Sequence, residues 1–91
     1  MKFGVFSVHD RLSGYGTLTV EVNDQVAYRN FEHAVLNGGS VLFSHAQDYE
    51  LRRVGYFDSE IGALSSCDPE TIAAGSSIVF KSMRKEDSHD L

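Results

Sequence analysis

The chain has 91 residues, is 42% hydrophobic, and carries six Phe and four Tyr but no Trp. That length accommodates one domain, and the composition is too apolar for a disordered polymer. Thirteen Asp and Glu against eight Lys and Arg give a formal net charge of −5, a field that disfavours non-specific binding to a phosphate backbone and makes a protein the better default partner.

Residues 2–9 form a strand-like run with Phe3, Val5, Phe6 and Val8 at both parities, the pattern of a central strand covered on both faces. Asp10 to Gly16 is broken by two glycines and a serine and reads as a loop. Thr17 to Val22 alternates cleanly, which predicts a half-buried strand with Leu18, Val20 and Val22 inward and Thr17, Thr19 and Glu21 outward. Asn23 or Asp24 then caps a helix over residues 24–37. Ala27, Phe31, Ala34 and Val35 form its apolar stripe, with Phe31 as the anchor to the sheet, while Gln25, Arg29 and Glu32 lie on another face. Gly38 and Gly39 end this helix.

Val41 to Phe43 reads as a short edge strand, and Ser44 or His45 opens a single helical turn. Tyr49 to Phe57 is a strand whose apolar residues change parity. Either both of its faces are covered or a bulge resets the register near Arg52-Arg53. Asp58 to Gly62 has hairpin-loop composition, with Gly62 suited to a positive φ, and Ala63 to Ser66 is the return strand. Asp68-Pro69-Glu70 is a local helix start that Gly75 stops. Ser77 to Lys81 forms a last strand, leaving residues 82–91 as a flexible tail beyond a single domain of residues 1–81. The expected fold class is α+β: a small antiparallel or mixed sheet of about four to five strands with one main helix packed on it.

Little in the chain carries chemistry. His9, His33, His45 and His89 lack the spacing of metal ligands. His45 with Asp48 is a His–carboxylate pair in a tight turn, better read as a cap than as a general base. Cys67 has no nucleophile context, and Gly14-Tyr15-Gly16 precedes a strand, so its glycines are turn residues rather than a phosphate loop. No enzyme, cofactor or metal is expected. The best case for nucleic acid is Arg52-Arg53 between Tyr49 and Tyr56, where arginines could hold phosphates while rings stack on bases. Asp48, Glu50, Asp58 and Glu60 flank the same segment and cancel its field. A second basic cluster, Lys81, Arg84 and Lys85, is offset by Glu86, Asp87 and Asp90.

A single cysteine suits a reducing cytosol, and no apolar segment resembles a signal peptide or approaches a membrane span, so a cytoplasmic protein is expected. A domain this small has a thin core, which makes self-association a natural way to bury further surface.

Taken in order, one set of short motifs is familiar. It runs Asp10-Arg11, Tyr15-Gly16, Asn23, Arg29-Asn30-Phe31, His45, Asp48-Tyr49-Glu50-Leu51, Gly55-Tyr56-Phe57-Asp58 and Gly62. Over about residues 3 to 64 the chain resembles the small nonstructural protein of gokushoviruses, the tailless icosahedral single-stranded DNA phages of the microvirus family. The resemblance implies a protein of the infected bacterial cytoplasm, absent from the mature virion. It also implies a role in genome replication, or in the switch from duplex replication to single-strand synthesis and packaging. Such proteins are often described as DNA-binding. The acidic charge fits better a factor that contacts the phage replication-initiation protein or a host replication protein. Direct binding of single-stranded DNA through Arg11, Arg29, Arg52 and Arg53 is the alternative, and a host-protein interaction module is a third reading. Gly16, Gly55 and Gly62 suit turns or close backbone approach, Phe31 and Phe57 suit a core, and Asn23 suits a cap. Arg11, Arg29, His45 and Asp48 serve either as polar links between loop, helix and sheet or as partner surface. With Tyr49, Arg52 and Arg53 they make up the candidate contact residues.

Overall fold

A computed structural model describes residues 1–37 and 40–89, with side chains through residue 84. Its elements are β1 (Lys2–Asp10), β2 (Gly14–Glu21), α1 (Asp24–Leu36), α2 (Val41–Ser44), a 3-10 turn (Ala46–Asp48), β3 (Tyr49–Asp58), β4 (Ala63–Ala74) and α3 (Gly75–His89). The strands form one antiparallel sheet in the order β2-β1-β3-β4. The fold class is α+β, as the sequence predicts, and β1 is central: Val5, Phe6 and Ser7 are all buried.

The helices lie on one face of the sheet. Asn23 caps α1 by accepting a hydrogen bond from the Val26 N–H, and Ala27, Phe31 and Val35 form its buried stripe. They pack with Phe6 from β1, Leu51 from β3, Ala73 from β4 and Ile78 from α3 into one core. Gly4 belongs to this arrangement, since a Cβ there would stand 2.6 Å from the Phe6 ring. On β3 the register shifts around Val54, close to the bulge expected at Arg52-Arg53. The hairpin after Asp58 closes through Gly62, at φ +69°, whose N–H donates to the Asp58 carbonyl.

Several expectations are corrected. The loop expected over residues 10–16 is shorter, because Gly14 to Gly16 already belong to β2. β2 is not the half-buried strand predicted: it is exposed over most of its length, and its apolar residues face away from the helices rather than inward. Phe6 pairs with Thr19 while Val5 and Ser7 pair with Val20 and Leu18, so the threonines share the helix side with Phe6. Glu21 on that side accepts a hydrogen bond from Asn30 of α1. Leu18 and Val20 are consequently 56% and 52% exposed, and Val22, just beyond the strand, is 50% exposed. Alternation determines parity; only the path of the chain into α1 decides which parity is turned to the helix side.

Val41 to Phe43 is the helical turn α2 rather than an edge strand. The expected helix start at Asp68-Pro69-Glu70 is instead part of β4. Between the pairs Gly55–Ser66 and Arg53–Glu70 the ladder is irregular, and an edge strand at such a place tolerates a proline without an N–H. Gly75 begins a helix instead of stopping one, and Ser77 to Lys81 lie inside α3, not in a last strand. Four apolar or small residues in a row fit either period, and here Ile78 is 2% exposed against α1 and the sheet. The sheet therefore carries two substantial helices rather than one, and helical backbone continues over residues 82–89. Gly38 and Gly39 lie outside the described residues.

Candidate functional site

The end of the sheet where β1 turns into β2 and the 3-10 turn enters β3 collects four of the seven candidate residues. Arg11, Asp48, Tyr49 and Arg52 line a shallow cleft of about 270 Å³ together with His9 and Glu50. Asp48 is 8% exposed, and its carboxylate accepts from both Nε and Nη2 of Arg11 at 3.0 and 2.9 Å. The Asp48 carbonyl also accepts from the Arg11 N–H at 2.9 Å. Side chain and backbone thus pin the β1–β2 loop to the 3-10 turn. Asp10 closes the loop itself. The Leu12 N–H and then the Ser13 hydroxyl donate to its carboxylate, which holds its pKa below the ordinary value.

Arg52 projects from the sheet face opposite the helices, where a polar ladder crosses three strands. Its Nη1 donates to the Tyr15 hydroxyl at 2.9 Å and its Nε to the Glu50 carboxylate at 3.1 Å. These two interactions, Tyr15 first, raise the guanidinium pKa. The His9 ring meets the Tyr15 ring edge-on at 4.7 Å between centroids. Tyr49 is half-buried and packs against the core, so its ring is not a free stacking surface.

The other candidates lie elsewhere. Arg53, next in sequence to Arg52, points to the helix side of the sheet. It pairs with Asp24 at the start of α1 and with Glu70 on β4, and lies 5.4 Å over the Tyr56 ring. The hydrogen bond to Asp24 is the main reason that its pKa is raised. The Arg52-Arg53 pair read as one basic patch is therefore split between two faces. Arg29 is exposed on the outer surface of α1. The His45 ring lies 2.9 Å from the Ser44 hydroxyl, and Asp48 is taken by Arg11, so the expected His45–Asp48 side-chain pair does not form.

Sequence reasoning missed Tyr15 and His9 as members of the polar ladder. The Gly-Tyr-Gly segment looked like a loop; an aromatic residue between two glycines at a strand start was the available signal. It also missed a cleft of about 730 Å³ lined by Lys2, Asp24, Tyr28, Arg53, Tyr56 and Ile72, among others. There the Lys2 ammonium lies 4.6 Å over the Tyr56 ring. No helix among the described residues is long and apolar enough to cross a membrane, and no cluster of three metal-ligating side chains occurs among them.

Fold and site together define a small one-sided α+β sheet protein in which Arg11, Arg52 and Arg53 are paired with carboxylates of the same chain. The chain matches the family model of the phage ORF5 protein over residues 3–78 and belongs to that family, which makes it a phage protein. No curated protein and no solved structure matches it.

Proposed function

We propose that this chain is a non-enzymatic accessory protein of a gokushovirus-type single-stranded DNA phage. It acts in genome replication, or in the switch to single-strand synthesis and packaging, through contacts with a replication protein of the phage or its host. The observation that carries the protein-contact reading is the internal pairing of the arginines. Arg11, Arg52 and Arg53 each hold carboxylates of this same chain. Binding a phosphate backbone would require breaking those pairs within a molecule of net charge −5. Apolar surface is available for a protein partner: Phe43, Phe80 and Met83 are 45%, 61% and 60% exposed around a groove between α2 and α3.

The decisive experiment deletes the gene from an infectious clone and follows duplex and single-stranded genomes separately. Loss of single-strand synthesis with duplex replication intact is expected; normal single-strand yield would refute the replication role. Fluorescence anisotropy with a single-stranded oligonucleotide across a salt series tests the manner of action. Absent or weak binding is expected, and tight binding that falls steeply with salt would make the arginines the working residues after all. Replacing Phe80 with Asp should abolish capture of the replication partner from infected cells and leave the protein folded.

A further inference from the structure

We propose that the uncovered face of the sheet is the contact surface of a homodimer, with Leu18 and Val20 of each copy seated in a depression over Gly55 of the other. This inference does not rest on the replication reading. It starts from a mismatch between the sheet and its surroundings. All three helices lie on one side, yet the other side is apolar at its centre. Leu18, Val20 and Leu64 are 56%, 52% and 67% exposed there, and Val5 lies beneath them at 3%. An antiparallel sheet with one solvated face normally presents polar residues to water. Here β2 does the reverse and turns its threonines toward the helix side.

Shape and charge select a second copy as the occupant. Gly55 pairs with Val5 on one side and Ser66 on the other, and a depression of about 350 Å³ lies beside it, walled by Val5, Leu18, Val54 and Leu64. Glycine is required at position 55 by the close approach of β4, since a Cβ would stand 2.3 Å from the Ser65 carbonyl oxygen. A ridge, Leu18 and Val20, thus runs beside a hollow on the same face. That is the self-complementary relief an isologous two-fold contact requires. The charged groups of this face, Arg52 and Glu50, are at one end and neutralise each other. Two copies can therefore meet here despite their common negative charge, whereas a phosphate backbone would find no unpaired cation.

Area sets the size class of the contact. Four strands at ~4.8 Å spacing and about seven residues at ~3.3 Å rise give a footprint of ~19 by ~23 Å, or ~440 Å². Corrugation increases the accessible area, but the contact stays near or below the ~800 Å² per partner of a standard interface, in the range of weak reversible pairs.

Sedimentation velocity on the full chain, from micromolar to about millimolar concentration, tests this. The wild-type chain should pass from monomer to dimer. Leu18→Glu and Val20→Glu, both at positions half open to solvent in the monomer, should each weaken the dimer at least tenfold with an unchanged far-ultraviolet spectrum. Thr19→Glu, on the same strand but the other face, should leave the association within about twofold of wild type. A wild-type chain that stays monomeric throughout, or a dimer indifferent to Leu18→Glu, would overturn the proposal. Equal loss from Thr19→Glu would overturn it too, by assigning the contact to the β2 edge. So would a monomer that loses single-stranded DNA binding on Leu18→Glu, which would give the face to nucleic acid.

Discussion

Phe31 and Asp48 illustrate two different ways in which one residue holds this fold. Phe31 is 4% exposed and meets Phe6 across the helix–sheet interface, so Phe31→Ala removes both transfer energy and a partner for the largest buried ring on β1. The expected loss is ~3–5 kcal/mol, read as a lower urea midpoint at unchanged m-value. Asp48 is nearly as buried but charged, and its stabilisation depends on Arg11, whose side chain is 66% exposed. Replacing Arg11 with Met takes both guanidinium donors from a buried carboxylate and should cost about 1–2 kcal/mol after allowance for solvent around the guanidinium. The double variant with Asp48→Asn should recover part of that loss in a thermodynamic cycle. Asp10 contributes a pH dependence. Its folded pKa is depressed, chiefly by the Leu12 N–H, so its contribution is present above the unfolded carboxylate pKa and is lost as pH falls through the folded value. A carbon-13 titration should place the Asp10 midpoint below 3.8, and Ser13→Ala should move it part of the way back. Phe31 and Asn23 could be assigned from the sequence because their reasons are local: helical spacing and capping. The Arg11–Asp48 link spans 37 positions, and no local rule pairs them.

At the scale of elements, the glycines show where local preference yields to packing. Gly75 has the look of a helix terminator, yet it opens α3 with its Cα against the 3-10 turn; a Cβ would lie 2.4 Å from the Ala46 carbonyl oxygen. Gly75→Ala would raise intrinsic helicity by up to ~1 kcal/mol, but backbone cannot retreat from backbone without moving α3. Net destabilisation of about 1–3 kcal/mol is expected, as for other overpacked sites. The diagnostic contrast is an isolated α3 peptide, in which the same substitution should increase helical content. The order Ser-Ile-Val-Phe-Lys at residues 77–81 predicts a strand because β-branched and aromatic residues in a row carry no period of their own. α3 resolves the ambiguity by burying Ile78 and half-burying Val79 while Phe80 points outward. β1, α1 and β3 were legible with nearly correct bounds, since each has a long pattern and a clear boundary. α2, the strand nature of Asp68-Pro69-Glu70 and the start of α3 were not, because each is decided by what it packs against.

For the whole molecule, the consequence of a one-sided sheet is a chain with more apolar surface than its core needs. If two copies pair through that surface, the melting temperature should rise with protein concentration for the wild type and be flat for Leu18→Glu, a readout independent of hydrodynamic mass. The candidate site was legible only in part. Arg11, Asp48, Tyr49 and Arg52 do come together, but Arg53 turns to the opposite face because successive side chains of a regular strand alternate, and the register is regular from Leu51 to Arg53. By itself the sequence determined the α+β class, the central strand, the cap and stripe of α1, the Gly62 hairpin and the phage family, all from patterns within short windows or ordered motifs. Only the tertiary structure decided which face of β2 is turned to the helix side, which carboxylates neutralise Arg11, Arg52 and Arg53, and that the apolar side of the sheet is left open. Those outcomes depend on how distant segments cross in space, and alternation along a strand is the same whichever side the next helix takes.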